Sequence, residues 1–265
     1  MTIVLATAWR PRGELARFFK LLPQLENAYS GIIISLPPEV DQEVVNSLQN
    51  LSKVTAVVTP DWSWGRFIAL ESALKLTSTH LQYADFDRLL RWVETRPDEW
   101  IHILDLIQGS DCLIVGRTDR AYRTHPEALV QTEAISNQVI SYLLGQKMDV
   151  SAGSKGFSRK AAECIVANCS PGHALGTDGE WPITLKRAGF RVDFVTVEGL
   201  DWESADRYSD QAADLHDQQK AAELYDADAE NWSRRVGVAL EIIQSGLEAE
   251  QRFIGSTKST KIGQE

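Results

Sequence analysis

Leu81-Gln82-Tyr83-Ala84-Asp85-Phe86-Asp87 is the stretch on which the fold turns. A short apolar run ends there in two acids spaced i and i+2. On a strand such residues point the same way, so both carboxylates face one ion. Magnesium and manganese are commonly held by one or two carboxylates together with substrate phosphates. Asp85 and Asp87 are therefore the candidate metal ligands, although an Asp-x-Asp also arises by chance, as Asp226-Ala227-Asp228 does on a predicted solvated helix.

Working outward, Ile3-Val4-Leu5-Ala6, Ile32-Ile33-Ile34 and Val54 to Val58 precede helical patterns at Glu14–Asn27, Val40–Leu51 and Arg66–Leu76. Apolar residues Leu15, Phe18, Phe19, Leu22 and Leu25 recur at helical spacing in the first of these. Cys112-Leu113-Ile114-Val115 is a fifth strand-like run, after a Trp100–Ile107 helix. Strands alternating with helices predict an α/β fold, a mostly parallel central sheet flanked by helices, with ligands bound beyond the carboxyl ends of the strands. Past Arg117 the pattern predicts a helix at Glu127–Gly145, a Gly/Ser-rich segment at Ser151–Ser158, a helix to Cys169, a turn-rich stretch, a helix to Ala188 and a strand at Phe190–Val197. From Asp226, Trp232, Val236, Ala239, Leu240, Ile243 and Leu247 share one helical face, predicting a packing helix. The expected organisation is a domain over 1–203, an acidic helical C-terminal extension over 204–255 packed on it, and a disordered tail over 256–265.

Composition bounds the partners. The 265 residues carry a net charge of −10, which argues against nucleic acid or broad docking on an anionic membrane. Residues 204–250 hold 11 acidic and 4 basic residues, a net −7, so the remainder carries only −3 and a small anionic substrate fits it. No apolar run reaches the length of a transmembrane segment. Three cysteines without a Cys-x-x-Cys pair indicate neither a disulfide framework nor a zinc site, and a cytoplasmic location is expected.

Other segments carry chemistry at expected strand ends. Asp61-Trp62-Ser63-Trp64-Gly65-Arg66 follows a strand and opens a helix, where backbone N–H groups and an arginine can meet an anion. Asp111 to Arg117 is a strand ending in Gly116-Arg117. Asp149 then precedes Gly153-Ser154-Lys155-Gly156-Phe157, and Asp178-Gly179-Glu180 precedes Gly189-Phe190. In order and spacing this set resembles the family 2 glycosyltransferases of the GT-A fold, and within them the catalytic domain of the polyprenyl-phosphate (dolichyl-phosphate) sugar synthases, over about residues 3 to 203. The resemblance implies that the Asp-x-Asp holds Mg2+ or Mn2+ on a nucleotide-sugar diphosphate. It departs in Ala8-Trp9-Arg10-Pro11, where the family has Pro-x-Tyr-Asn-Glu, in Ser35-Leu36-Pro37-Pro38, where acidic residues help hold the nucleoside, and in Leu89, where a Gln often stands.

The resemblance implies a metal-dependent glycosyltransferase that moves a hexosyl group from a nucleoside diphosphate sugar to a small soluble or phosphorylated acceptor. On this reading Thr7, Trp9, Gly65, Arg66, Asp85 and Lys155 bind the donor. Arg117, with Arg120 and Arg123, offers a cationic rim for an anionic acceptor. Asp178 or Glu180 supplies the base that a hydroxyl acceptor needs and a phosphate monoester does not; the plainer alternative is a helix cap. His173 and His216 are candidates for a third metal ligand. Trp62 and Trp64 stack on a base or sugar, or pack in the core, and Trp181 and Trp202 either line an acceptor site or do the same. The alternatives are a polyprenyl-phosphate sugar synthase at the membrane surface, a non-catalytic nucleotide-sugar-binding module, and a nucleotidyltransferase, whose phosphate loop Trp9-Arg10-Pro11-Arg12-Gly13 approaches only poorly.

Overall fold

The computed structural model describes residues 2–261. Strands β1 (Ile3–Ala8), β2 (Gly31–Leu36), β3 (Val54–Val58), β4 (His80–Asp85), β5 (Cys112–Arg117), β6 (Ser154–Ser158) and β7 (Val192–Val197) form one seven-stranded sheet in the order β3-β2-β1-β4-β6-β5-β7. All neighbours run parallel except β6, which is antiparallel to both β4 and β5. The helices are α1 (Leu15–Ala28), α2 (Gln42–Gln49), α3 (Gly65–Ala73), α4 (Phe86–Thr95), α5 (Pro97–Ile107), α6 (Asp119–Tyr122), α7 (Glu127–Leu144), α8 (Arg159–Asn168), α9 (Thr177–Arg187), α10 (Leu215–Asp226) and α11 (Ala229–Lys261).

Alternation along the strands divides the core in two. Leu5, Ile32 and Ile34 face a cluster with Phe18 and Leu25 of α1 and Trp92 and Trp100 of α4 and α5. Val4, Ala6 and Ile33 face the other, with Phe67 and Leu70 of α3, Ile140 of α7 and Trp181 of α9. A largely parallel sheet must be covered on both sides, which is why these strands read as nearly unbroken apolar runs. The result is the mixed α/β architecture that the GT-A resemblance implies: a helix-flanked central sheet with a helical C-terminal extension. Among the described residues no helix is long and apolar enough to cross a membrane.

Two elements depart from the sequence reading. The Gly/Ser-rich stretch contains β6, whose residues are held in extended form by pairing on both edges and not by intrinsic preference. The chain also turns helical straight after Asp85, which stands at the N-cap position of α4 with extended backbone, while Asp87 lies in the first helical turn. The two carboxylates therefore do not alternate along a strand.

The extension also packs differently. Of the expected apolar face of α11, Val236, Leu240 and Leu247 are exposed and Ala239 is buried, while Ile242, Ser245 and Ala249, outside that face, are buried as well. Small residues let this helix approach its neighbours closely: a Cβ on Gly179 of α9 would stand 2.3 Å from the Ile242 carbonyl oxygen, and one on Gly246 2.4 Å from Cδ1 of Ile140 in α7. The stretch read as a tail begins inside α11, which runs to Lys261, and residues 262–265 lie outside those described.

Candidate active site

A cavity of about 260 Å³ opens where β1, β2 and β4 end. Its position follows from the parallel register, which sets Ala8 of β1 beside Ser35 of β2 and Asp85 of β4. On the β2–β3 side the lining is Ser35, Leu36, Pro37, Thr59 and Trp62. Trp62 belongs to a 3-10 turn, Trp62–Trp64, whose Ser63 N–H donates to the Asp61 carboxylate at 2.8 Å; its ring is 57% exposed, free to meet a ligand face. In the middle lie Trp9, Gly65, Arg66, Asp85 and Asp87. Gly65 is wedged near Ser35, whose hydroxyl donates to the Gly65 carbonyl at 2.8 Å.

Arg66 is the buried hub. Its Nη2 reaches both oxygens of Asp85 at 2.9 and 2.8 Å, and its Nη1 reaches Asp178 Oδ1 at 2.9 Å. Asp85 Oδ1 also accepts from the Tyr83 hydroxyl at 2.7 Å, and its Oδ2 lies where a Cβ on Gly153 would intrude, at 2.5 Å. Gly153, at φ +77°, leaves that space open. Burial works against the Arg66 charge, but Asp178 and Asp85 outweigh it and hold the guanidinium well above its usual range.

Lys155 of β6 is buried, with Nζ bonded to the Val150 carbonyl at 3.0 Å and to Asp178. Burial pushes the Asp178 carboxyl up, yet Arg66 and Lys155 together hold it below its ordinary value. A carboxylate so placed is a weak base, and Asp178 does not line the cavity. Glu180 is fully buried beneath α11, 2.8 Å from Arg252 and 3.3 Å from His173. Neither acid of the expected catalytic pair meets the cavity.

Arg117 lies away from this cavity. Its Nε and Nη2 bind Asp149, each at 2.8 Å, its Nη2 binds Glu133 at 2.6 Å, and the guanidinium lies 4.4 Å over the Tyr122 ring. It lines a separate cavity of about 490 Å³. Arg120 pairs with Glu198, and Arg123 is exposed. Thr7 is buried, its hydroxyl donating to the Ala84 carbonyl at 2.6 Å, so it ties β1 to β4 beneath the site. Trp181 and Trp202 are buried, Trp181 edge-on to Tyr83 and Phe157.

Cations that the sequence reading passed over complete the lining. Arg10 and Arg12 come from the segment judged a poor phosphate loop, Arg88 from α4 and Arg235 from α11; Glu203 joins Asp85 and Asp87 as an acid. The Arg-Pro-Arg spacing was the available signal for the first two. For Arg88, Glu203 and Arg235 only tertiary folding supplies one. Glu203 lies 3.3 Å from Arg88, and Arg12 lies 3.8 Å from Asp87. Burial and the nearby carboxylates of Glu203 and Asp85 push Asp87 up to about 7, against the pull of Arg12 and Arg88.

Whether a divalent ion fits turns on these donors. Among the described residues no three His, Cys, Asp or Glu groups converge on a metal position. His173 is engaged with Glu180, and His216 is exposed. Asp85 and Asp87 line one cavity, and burial, with Glu203 and Asp85 nearby, disfavours the Asp87 charge, which a bound cation would favour. Two carboxylates of this kind suit magnesium or manganese when a bound phosphate supplies further oxygens.

No family model matches the chain, and no curated protein matches it. Among solved structures it is similar to glucosyl-3-phosphoglycerate synthase from Mycobacterium tuberculosis. The complex of that enzyme with Mn2+, UDP-glucose and phosphoglyceric acid gives a TM-score of 0.49 at 14% identity, over 89% of this chain and 80% of that one. Its complex with Mn2+, UDP-glucose and glycerol 3-phosphate gives 0.48 at 14%, and its UDP complex 0.47 at 15%, with the same coverage.

Proposed function

We propose that the chain is a metal-dependent glycosyltransferase that takes a hexosyl group from a nucleoside diphosphate sugar and passes it to a small phosphorylated acceptor. The observation that carries this reading is the meeting of Asp85 and Asp87 with Arg10, Arg12, Arg66, Arg88 and Arg235 around one cavity at the carboxyl edge of the sheet. Five cations against three acids favour anionic ligands.

In this site Asp87 and Asp85 hold the Mg2+ or Mn2+, which when bound offsets charge on the departing diphosphate. Trp62 offers a stacking face to the base, with Ser35 and Thr59 as polar neighbours. Arg10 binds phosphate oxygens of the donor. Trp9 and Gly65 shape the wall, and Thr7 fixes the strand pair beneath it. Asp178 and Lys155 act through Arg66, holding the guanidinium that positions Asp85. An acceptor that attacks through an already ionised oxygen fits a cavity that neither Asp178 nor Glu180 enters.

The test is thermal shift with uridine, guanosine and adenosine diphosphates, each with and without Mn2+. Uridine diphosphate and Mn2+ come first because the similar solved structures contain them. The expected result is a metal-dependent rise in Tm with at least one nucleotide, and no such rise with any of them would sink the reading. A second reading, a nucleotide-sugar-binding module without turnover, is favoured by Arg66 Nη2 engaging both oxygens of Asp85 and by the sequestered Asp178. Hydrolysis of the sugar nucleotide with Mn2+ separates the two, because a binding module releases no nucleoside diphosphate.

A further inference from the structure

The C-terminal extension lies outside the region of family resemblance, yet it places Arg235 in the cavity. Its Nη2 is held 2.5 Å from Glu133 Oε1, and the other oxygen of Glu133 accepts from Arg117 at 2.6 Å. The chain Arg117–Glu133–Arg235 therefore runs from β5 through α7 to α11 and fixes the direction of the last guanidinium. Arg88 is anchored from the same side, its Nη1 donating to the Ser151 carbonyl at 3.2 Å just before β6. Arg12 is fastened by a different device. Its carbonyl accepts from Tyr208 N–H at 3.0 Å, and Gly13, at φ +89°, leaves room for the Tyr208 backbone, which a Cβ would meet at 2.8 Å.

The order of strands separates two ends of the cavity. Thr59, Leu36 and Ser35 stand at the ends of β3 and β2, Asp85 ends β4, and the anchors of Arg88 and Arg235 lie beyond β4 toward β6 and β5. Three buried N–H donors on this lining have no hydrogen-bond partner among the described residues: Trp9 Nε1, Arg12 Nε and Arg235 Nε. A buried donor left unpaired is costly, and an anion with several oxygens satisfies more than one at once.

We infer that Arg12, Arg88 and Arg235 form a phosphate subsite for the acceptor, separate from the diphosphate position at Asp85 and Asp87, so that the C-terminal extension selects the acceptor. The assignment rests on the glycosyltransferase reading, because only a second substrate gives the two ends different occupants. The same chemistry would also suit the donor's own diphosphate, and the two sources are distinguished by occupancy.

The experiment titrates inorganic phosphate into the full chain by calorimetry, alone and with saturating uridine diphosphate and Mg2+. Phosphate is expected to bind the nucleotide-loaded protein within about twofold of its affinity for the free protein. Arg235→Gln and Arg12→Gln are each expected to weaken phosphate by about tenfold while leaving nucleotide affinity within about twofold. Arg12 sits on a half-exposed loop, so its variant carries the test if Arg235→Gln fails to fold. Displacement of phosphate by the nucleotide, equal loss of both ligands in the variants, or no phosphate binding overturns the subsite. Arginine-dependent phosphate binding without any nucleoside diphosphate binding overturns the glycosyltransferase reading and, with it, the assignment of the three arginines to an acceptor.

Discussion

Asp178 and Asp87 illustrate how the same side chain acquires opposite properties from its neighbours. Asp178 is enclosed by Arg66 and Lys155, and the cations win over burial. Asp178→Asn leaves those two buried cations with one carboxylate fewer, and we expect a loss of about 3–5 kcal/mol in urea denaturation. Transfer lost with stability unchanged would return Asp178 to the role of base. Asp87 is buried, with Glu203 and Asp85 nearby outweighing Arg12 and Arg88, and its folded pKa lies above its unfolded one. Its charge therefore weakens the fold at high pH, and that cost fades as pH falls through about 7. Asp87→Asn is expected to raise the urea midpoint at pH 8, to show a smaller gain at pH 5, and to weaken nucleotide-dependent Mn2+ binding by about tenfold. A variant with unchanged metal response removes Asp87 from the ligand set. The sequence alone could nominate both residues, since acids at strand ends are conspicuous, but their neighbours come from β6, α3 and the segment around Glu203, which no local spacing reveals.

At the scale of elements, the α9–α11 contact depends on absent side chains. Gly179, between Asp178 and Glu180, faces the α11 backbone. Gly179→Ala is expected to cost about 1–3 kcal/mol in urea unfolding, since backbone and not a flexible side chain must yield. A neutral effect would mean that the two helices slide apart freely. The parallel strands were legible because burial on both faces makes them uniformly apolar. β6 was not, because Ser154-Lys155-Gly156-Phe157-Ser158 has little strand character of its own and takes its form from two neighbours. The stripe on α11 misled for a related reason: small residues and Ile242 bury against the neighbouring helices, and Val236, Leu240 and Leu247 are left outside.

For the molecule as a whole, pH dependence gathers around His125, buried with Nδ1 3.1 Å from the Ala121 carbonyl. Burial, then Arg117 and Arg88, hold its pKa well below the ordinary value. Above about pH 6.5 neither folded nor unfolded chain protonates it. Below that the unfolded chain takes up a proton that the native one refuses, so stability falls by up to about 1.4 kcal/mol per pH unit. Asp87 contributes in the opposite sense over part of this range, so the wild type must be compared with His125→Asn. The variant is expected to be less stable at pH 8 but to lose less on going to pH 5.5, and parallel urea-midpoint curves would refute the assignment. The position of β6 has one more consequence, in the order of assembly. β4 and β5 both await a strand whose residues are synthesised after them, and His80 meets Ser158 only when that later segment threads between them. Until then the inner edges of both strands offer unpaired backbone groups to any other chain nearby. The nascent protein therefore carries an open slot in the middle of its sheet, where a chaperone has something to shield and a second unfinished copy has something to invade.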